Sequence, residues 1–473
     1  MNSELHCDLA IIGGGAGGLS LAAGASQMGA KVILVEAGKM GGDCLNFGCV
    51  PSKSLLAAAK TYQQTQTANK FGIDAKTATL NFTEVMQHVQ KVINTIAKHD
   101  SKARFEKLGV KVIKATGKFI DRKTIAAGKY QLKAKHFVIA TGSAPFVPPI
   151  PGVDKVPYLT NETIFDLTEQ PKHLIVIGGG PIGIELAQAF KMLGSKVTVL
   201  EAFNIMPHDE PDCVAIVKKQ LLAMGIDMHE KIQIDQINKK ARQVSIKFSH
   251  KNKSHTINGS HLLVATGRRP NLQNLDLDKA EIKHSPKGIE VNRRLRSSNK
   301  KVFAIGDAAG SYQFTHIASY HAGIVLKNTL FRLPAKVNYT AVPWVTYTEP
   351  ELAHVGLLSS EANQRNIKFE IVELPFADND RAQAEHQTTG KIKLLIGKKA
   401  KILGATIVGP HAGELITPWT IAIKEGKSLR HMAEVIMPYP TLSEINKAVA
   451  GKFYSKLIFS PKVKRIVRLL ALF

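Results

Sequence analysis

Cysteine is scarce in this sequence, with four in 473 residues. That excludes a disulfide-stapled scaffold. Acidic residues are also short: Asp and Glu number 38 against 63 Lys and Arg, a net charge of +25. An excess of that size favours anionic partners, whether nucleotides, nucleic acid or an acidic membrane surface. Long apolar runs are missing, and no stretch approaches the roughly 20 residues needed to cross a bilayer. Met1 to Ile12 carries Glu4 and Asp8 and lacks the basic start of a signal peptide. The expected compartment is therefore the cytoplasm, where a close Cys pair is more often catalytic than structural. What is present is ordinary for a folded chain: 44% hydrophobic and 21% charged residues. At roughly 100–200 residues per domain, the length suits about three domains.

The chain repeats itself. Leu9 to Ile12 is apolar and runs into Gly13-Gly14-Gly15-Ala16-Gly17-Gly18, then a helix-like stretch to Met28, Gly29, and Lys31 to Glu36. Leu174 to Ile177 runs into Gly178-Gly179-Gly180-Pro181-Ile182-Gly183, then a helix-like stretch to Leu193, Gly194, and Lys196 to Glu201. A shift of 165 places Gly13, Gly15, Gly18, Gly29 and Glu36 on Gly178, Gly180, Gly183, Gly194 and Glu201. Each unit reads strand, glycine loop, helix, strand, acid. The first glycine permits the tight turn, the second lets a pyrophosphate approach, and the third lets helix and strand pack closely. The helix N-terminus then faces the phosphates with free N–H groups. Glu36 and Glu201 stand where an acid holds a ribose hydroxyl pair. Two units imply two dinucleotides. A carboxylate at Glu201 would repel a 2′-phosphate, so NAD(H) is favoured over NADP(H).

Cys44-Leu45-Asn46-Phe47-Gly48-Cys49 follows the first unit and precedes a helix-like Ser54 to Ala59. A helix start lowers a thiol pKa. Two thiols this close can form a small-ring disulfide that takes and passes two electrons. Two packed, inert cysteines fit the spacing equally well. Cys7 and Cys213 lie in other contexts and read as structural.

Gly41 to Lys53, GGDCLNFGCVPSK, resembles the redox-disulfide signature of the class I pyridine nucleotide–disulfide oxidoreductases. Ala140-Thr141-Gly142, Ala265-Thr266-Gly267-Arg268 and Ala304 to Ala308 are similar to further motifs of that family, and Pro343 to Gly356 and Leu403 to Ile416 resemble its dimerisation domain. The resemblance implies an α/β protein with two Rossmann-like domains, for FAD and NAD(P), plus a C-terminal α+β dimerisation domain. The FAD domain would cover 1–145 and 270–340, the NAD(P) domain 146–269, the dimerisation domain 341–460 and a basic tail 461–473. It implies FAD on the first unit with Glu36, Gly142 and Asp307, and the nicotinamide nucleotide on the second with Glu201 and Gly267. Cys49 would face the flavin, Cys44 would exchange with substrate, and Lys53 and Glu185 would pair beside the reactive flavin nitrogen. From the residues alone, Lys53 fits a solvated helix lysine, and Glu185 fits a helix first turn. A homodimer is implied, and no resident metal site is expected.

One position departs from the disulfide-active members, which carry His-Pro-Thr with a Glu five residues after the His. Here the segment is Tyr439-Pro440-Thr441, with Glu444 in place. A phenol of pKa about 10 is a poor base at pH 7, where an imidazole near 6.5 is well placed. His431, His411 or His386 could stand in only if the fold brings one close. Mercuric reductases are similar in having a tyrosine there, and a soft metal ion held by two thiolates needs no such proton shuttle. They also end in a vicinal Cys pair and often begin with a metal-binding module, whereas the sequence given ends Leu470-Ala471-Leu472-Phe473. The expected reaction moves electrons from NAD(P)H through FAD and the Cys44–Cys49 pair to an acceptor. A metal ion or small oxidant is favoured, with dihydrolipoamide dehydrogenase as the alternative. A further alternative is a membrane-surface flavoprotein feeding quinone.

The tail supports that last alternative. At about 100° per residue, Lys464, Arg465 and Arg468 share one helix face, and Val463, Ile466, Val467, Leu470 and Phe473 the other. Such a helix suits the inner, anionic surface of a membrane. A helix packed on the dimer fits the same pattern. Nucleic-acid binding has no motif behind it.

Overall fold

A computed structural model describes residues 3–75, 78–241, 243–251 and 253–472. Phe473 lies outside them. The apolar run of the first unit sits in a longer strand, Ser3–Ile12. Its start is flanked by Tyr130–Ile139 alone and leaves Glu4 exposed. Its end is flanked also by Val32–Glu36 and is buried throughout. Strands buried on both faces read as continuous apolar runs, which is why only the second half was visible in the sequence. Five parallel strands lie in the order Lys111–Lys114, Val32–Glu36, Ser3–Ile12, Tyr130–Ile139, Val302–Ala304. The hairpin Gly117–Asp121 and Thr124–Ala127 continues the sheet antiparallel on the early part of Tyr130–Ile139. Helices Ala16–Gln27 and Thr315–Thr329 share the core on one face, with Leu21, Ala22 and Val325 buried together.

The second unit builds a separate parallel sheet, Asp227–His229, Lys196–Leu200, His173–Ile177, His261–Val264. An antiparallel meander, Gln233–Lys240, Gln243–His250 and Lys253–Gly259, packs on it through Ile246 and Phe248. The chain passes between the two sheets at Ser143–Pro145 and Arg268–Pro270, and these short strands pair with each other. This is the α/β architecture expected from the repeat.

An antiparallel sheet follows, in the order Pro343–Thr346, Glu351–Gly356, Ile402–Gly409, Lys391–Ile396, Glu370–Pro375. Helices Thr417–Lys424 and Glu444–Ile458 cover it, and the buried Trp419 Nε1 donates to Asn446 Oδ1 at 2.7 Å.

This sheet is joined to the second unit by a buried cation. Lys393 Nζ reaches Glu210 Oε2 at 2.9 Å and Asp212 Oδ1 at 2.7 Å, with the Glu210 side chain 0% exposed. Removing one partner of a buried pair strands the other charge. Lys393→Met is therefore expected to cost about 3 kcal/mol or more. Thermal unfolding measures this, and an unchanged Tm would show the pair to be dispensable.

Candidate active site

The two glycine units fold alike. Gly13 (φ 110°) and Gly178 (φ 114°) pass so close to Ala140 and Ala265 that a Cβ would strike those carbonyl oxygens. A Cβ at Gly18 or Gly183 would strike the oxygen of Gly13 or Gly178. These contacts seat each helix start against its sheet. The middle glycines differ: Gly180 meets nothing within 4 Å and Gly15 only Gly42, at 3.7 Å. Gly142 and Gly267, at the ends of the neighbouring strands, also face open space with positive φ. Glu36 accepts from the Gly14 and Gly38 N–H groups, and Glu201 from those of Gly179 and Phe203.

Cys44 lies in the short helix Gly42–Asn46, and Cys49 is the first residue of Cys49–Thr67. Both are free thiols. The Cys44 thiol donates to Cys49, and this is the main cause holding Cys49 down to about 6; the Thr315 hydroxyl and the Lys53 charge act the same way. Cys44 is pushed up, first by that bond and then by burial. The helix dipole at Cys49 also favours a thiolate there. Cys7 and Cys213 are buried, and burial pushes each to about 12.

Lys53 sits one turn after Cys49. Its Nζ lies 2.7 Å from Glu185 Oε2 and 4.3 Å from the Tyr347 ring centre. Glu185 is only 6% exposed, and its Oε1 accepts from the Tyr347 N–H at 2.9 Å. It stands fifth in Pro181–Met192, past the first turn and turned into the protein, so suiting the dipole does not explain it.

A polar chain unmarked in the sequence joins the redox loop to Asp307. Arg268 Nη2 lies 2.9 Å from Asp43 Oδ1, beside Cys44. Arg268 also donates to the Ser143 hydroxyl (2.7 Å) and carbonyl (2.8 Å), and that hydroxyl donates to Asp307 Oδ2 at 2.5 Å. Burial pushes the Asp307 carboxyl up. Asn161 Nδ2 donates to the same Asp43 oxygen at 3.1 Å. Asp43, Arg268 and Asp307 each stand in a motif the sequence showed, but nothing there linked them, and Ser143 had no signal.

Tyr439 and Glu444 lie elsewhere. Together with Asp380 they line a cavity of about 340 Å³ that includes neither cysteine. Tyr439 is 71% exposed, and its hydroxyl donates to Asp380 Oδ2 at 2.9 Å, which pushes the phenol further up. His386 packs on Phe71, His431 lies beside Ser428, and His411 precedes Ala412–Leu415. His316 went unmarked. It follows Thr315, bonds the Pro343 carbonyl through Nε2 at 3.0 Å, and is kept neutral by burial.

Residues 7–322 match the family model described as pyridine nucleotide-disulphide oxidoreductase, and residues 342–450 match the dimerisation domain of that family. The chain belongs to the pyridine nucleotide-disulphide oxidoreductases. Members of this family are FAD-dependent enzymes, and this chain is one of them. The mercuric reductase of Staphylococcus aureus is 33% identical over 455 residues, 96% of this chain and 83% of its own. The dihydrolipoyl dehydrogenase of Geobacillus stearothermophilus is 34% identical over 451 residues, 93% and 95% of the two chains. Among solved structures, a Cu(II) complex of RclA, an HOCl-induced flavoprotein disulfide reductase from Escherichia coli, superposes with a TM-score of 0.85 at 26% identity, covering 93% of this chain and 99% of that one.

The donor set of the first unit suits FAD. The loop at Gly15 leaves room for a pyrophosphate, and each Glu36 oxygen keeps a lone pair free for a ribose hydroxyl. Asp307 and Gly142 lie on the same rim of the sheet, at the carboxyl ends of its parallel strands.

Proposed function

We propose that this oxidoreductase uses NADH to reduce a soft metal ion or a small oxidant at the Cys44–Cys49 pair. Bound FAD would supply the two-electron relay between nicotinamide and thiols. Gly13, Gly15, Gly18, Glu36, Gly142 and Asp307 would hold it. Gly178, Gly180, Gly183, Glu201 and Gly267 would hold the nicotinamide nucleotide, and the Glu201 carboxylate disfavours a 2′-phosphate. Lys53, fixed by Glu185, keeps a positive charge beside Cys49. Cys49 carries the thiolate and Cys44 the proton, so Cys44 would engage an acceptor only as that proton is released. Thiol chemistry of this kind suits a reducing cytoplasm.

The observation that carries the choice of acceptor is Tyr439. Its hydroxyl is committed to Asp380, and that carboxylate keeps the phenol protonated. A phenol in that state cannot take the proton that dithiol–disulfide exchange must move. Capture of a metal ion by two sulfurs releases protons directly to water. Tyr439 is exposed and Glu444 half-buried on the dimerisation domain, in a cavity that includes neither cysteine of their own chain. For them to serve the Cys44–Cys49 pair, a second copy would have to dock through that domain.

The test is anaerobic titration with NADH, followed by a panel of acceptors. Two-electron reduction is expected to give a long-wavelength absorbance from the Cys49 thiolate beside the flavin. That band should persist down to pH about 6 and fade below it, because Cys49 is held down to about 6. Bleaching of the flavin with no band would place the thiols outside the electron path. Faster turnover of lipoamide than of Hg(II) would favour the dehydrogenase reading.

A further inference from the structure

From Ile445 to Leu472 the chain carries seven Lys and Arg and no Asp or Glu. The match to the family's dimerisation domain ends at residue 450, within this stretch. Beyond it, Pro461–Leu470 forms a ten-residue helix capped by the Ser460 hydroxyl, which accepts from the Val463 N–H. No residue of this helix is buried. Val463, Ile466, Val467 and Leu470 fall within one apolar arc of about 100°, opposite Lys464, Arg465 and Arg468. Ile466, Val467 and Leu470 are 54%, 58% and 66% exposed. Leu457 and Phe459, just before this helix in the chain at the end of Glu444–Ile458, are also 64% and 66% exposed. Scattered exposed apolar residues need no explanation, but a contiguous patch rimmed by one sign of charge does.

We infer that this helix docks the enzyme on an anionic lipid surface, with its apolar arc in the interface and its cations against the headgroups. Charge decides between occupants. A second copy packed arc to arc would cover the apolar face but leave the cations of both helices without counter-charges, and among the described residues Lys456, which bonds Glu370, is the one cation of the stretch with an ion pair. An anionic bilayer satisfies both faces of the helix at once. Two copies in a dimer would give two attachments, so one weak helix is reinforced by the other. The docking requires no particular electron acceptor.

The experiment is sedimentation of the FAD-loaded enzyme with vesicles of phosphatidylcholine alone, or of an equimolar mixture with phosphatidylglycerol. Binding is expected to the mixed vesicles only, and to weaken as salt rises. Arg465→Glu with Arg468→Glu should lower partitioning by more than about tenfold, since each cation at such a surface is worth about fivefold. Ile466→Asp with Leu470→Asp should also release the protein, with NADH oxidation and dimer mass unchanged. Wild-type enzyme left in the supernatant, or equal binding by the Arg variant, would overturn the inference. So would a fall to monomer mass in the Ile466/Leu470 variant, which would assign the helix to the subunit interface.

Discussion

Cys44→Ser is expected to lower NADH-driven reduction of a soft metal ion or disulfide by at least about 10³-fold, while NADH still reduces the flavin. The two half-reactions use different residues. Lys53, paired with Glu185, acts by its charge on Cys49, and neither is among the groups that act on Cys44. Serine keeps the shape of the side chain and can still donate to Cys49, so the thiolate of Cys49 survives. What is lost is the second sulfur, without which no disulfide can close and no two-sulfur grip on a metal can form. Rapid-reaction absorbance separates the halves: the flavin bleaches in both proteins, and only the wild type is reoxidised by acceptor. Equal steady-state rates with a quinone in both would mean that the flavin passes electrons outward without the cysteines.

Tyr439→His is expected to raise lipoamide turnover by about 10²-fold, the lower end of what a placed acid/base supplies. The surroundings are prepared for it. Asp380 already accepts a hydrogen bond at this position, and Glu444 begins the helix Glu444–Ile458 nearby. Two carboxylates would raise the imidazole pKa and fix its tautomer. The same change should leave Hg(II) reduction within a few-fold, since that step needs no base here. No gain with lipoamide, at full FAD content and dimer mass, would show that Tyr439 is not what limits disulfide exchange.

These two tests draw unequally on what the sequence disclosed. The glycine units were legible because every part of them is local: strand, turn, helix and acid follow within about thirty residues. Cys44 and Cys49 were legible as a pair from the residues, and only the family resemblance told one from the other. Their inequality comes first from the bond that Cys44 donates to Cys49, which the fold sets, and then from Lys53 and from the geometry of a helix start. Lys53 and Glu185 are 132 positions apart, and only the family resemblance suggested that they meet. The chain Asp43–Arg268–Ser143–Asp307 has no periodic signature, because its members come from a short helix, two crossover strands and a helical turn after a strand. The location of Tyr439 was hidden for a different reason: its segment follows the family motif, and nothing in that motif says that the fold sets it apart from the cysteines of its own chain. The terminal helix was legible in period, while nothing in its spacing reported how exposed it stands.

The acid at the end of each glycine unit has a consequence for affinity. Glu36 and Glu201 are each gripped by two backbone N–H groups, in matching positions of two sheets. Their rotamers are thus frozen during folding, before any nucleotide arrives. Ordering a free glutamate at the moment of binding would cost up to about 2 kcal/mol of side-chain entropy, or nearly thirtyfold in affinity. Here that loss is charged to the stability of the protein instead. A substitution that loosens the Gly38 or Phe203 turn would therefore weaken nucleotide binding without touching a nucleotide contact.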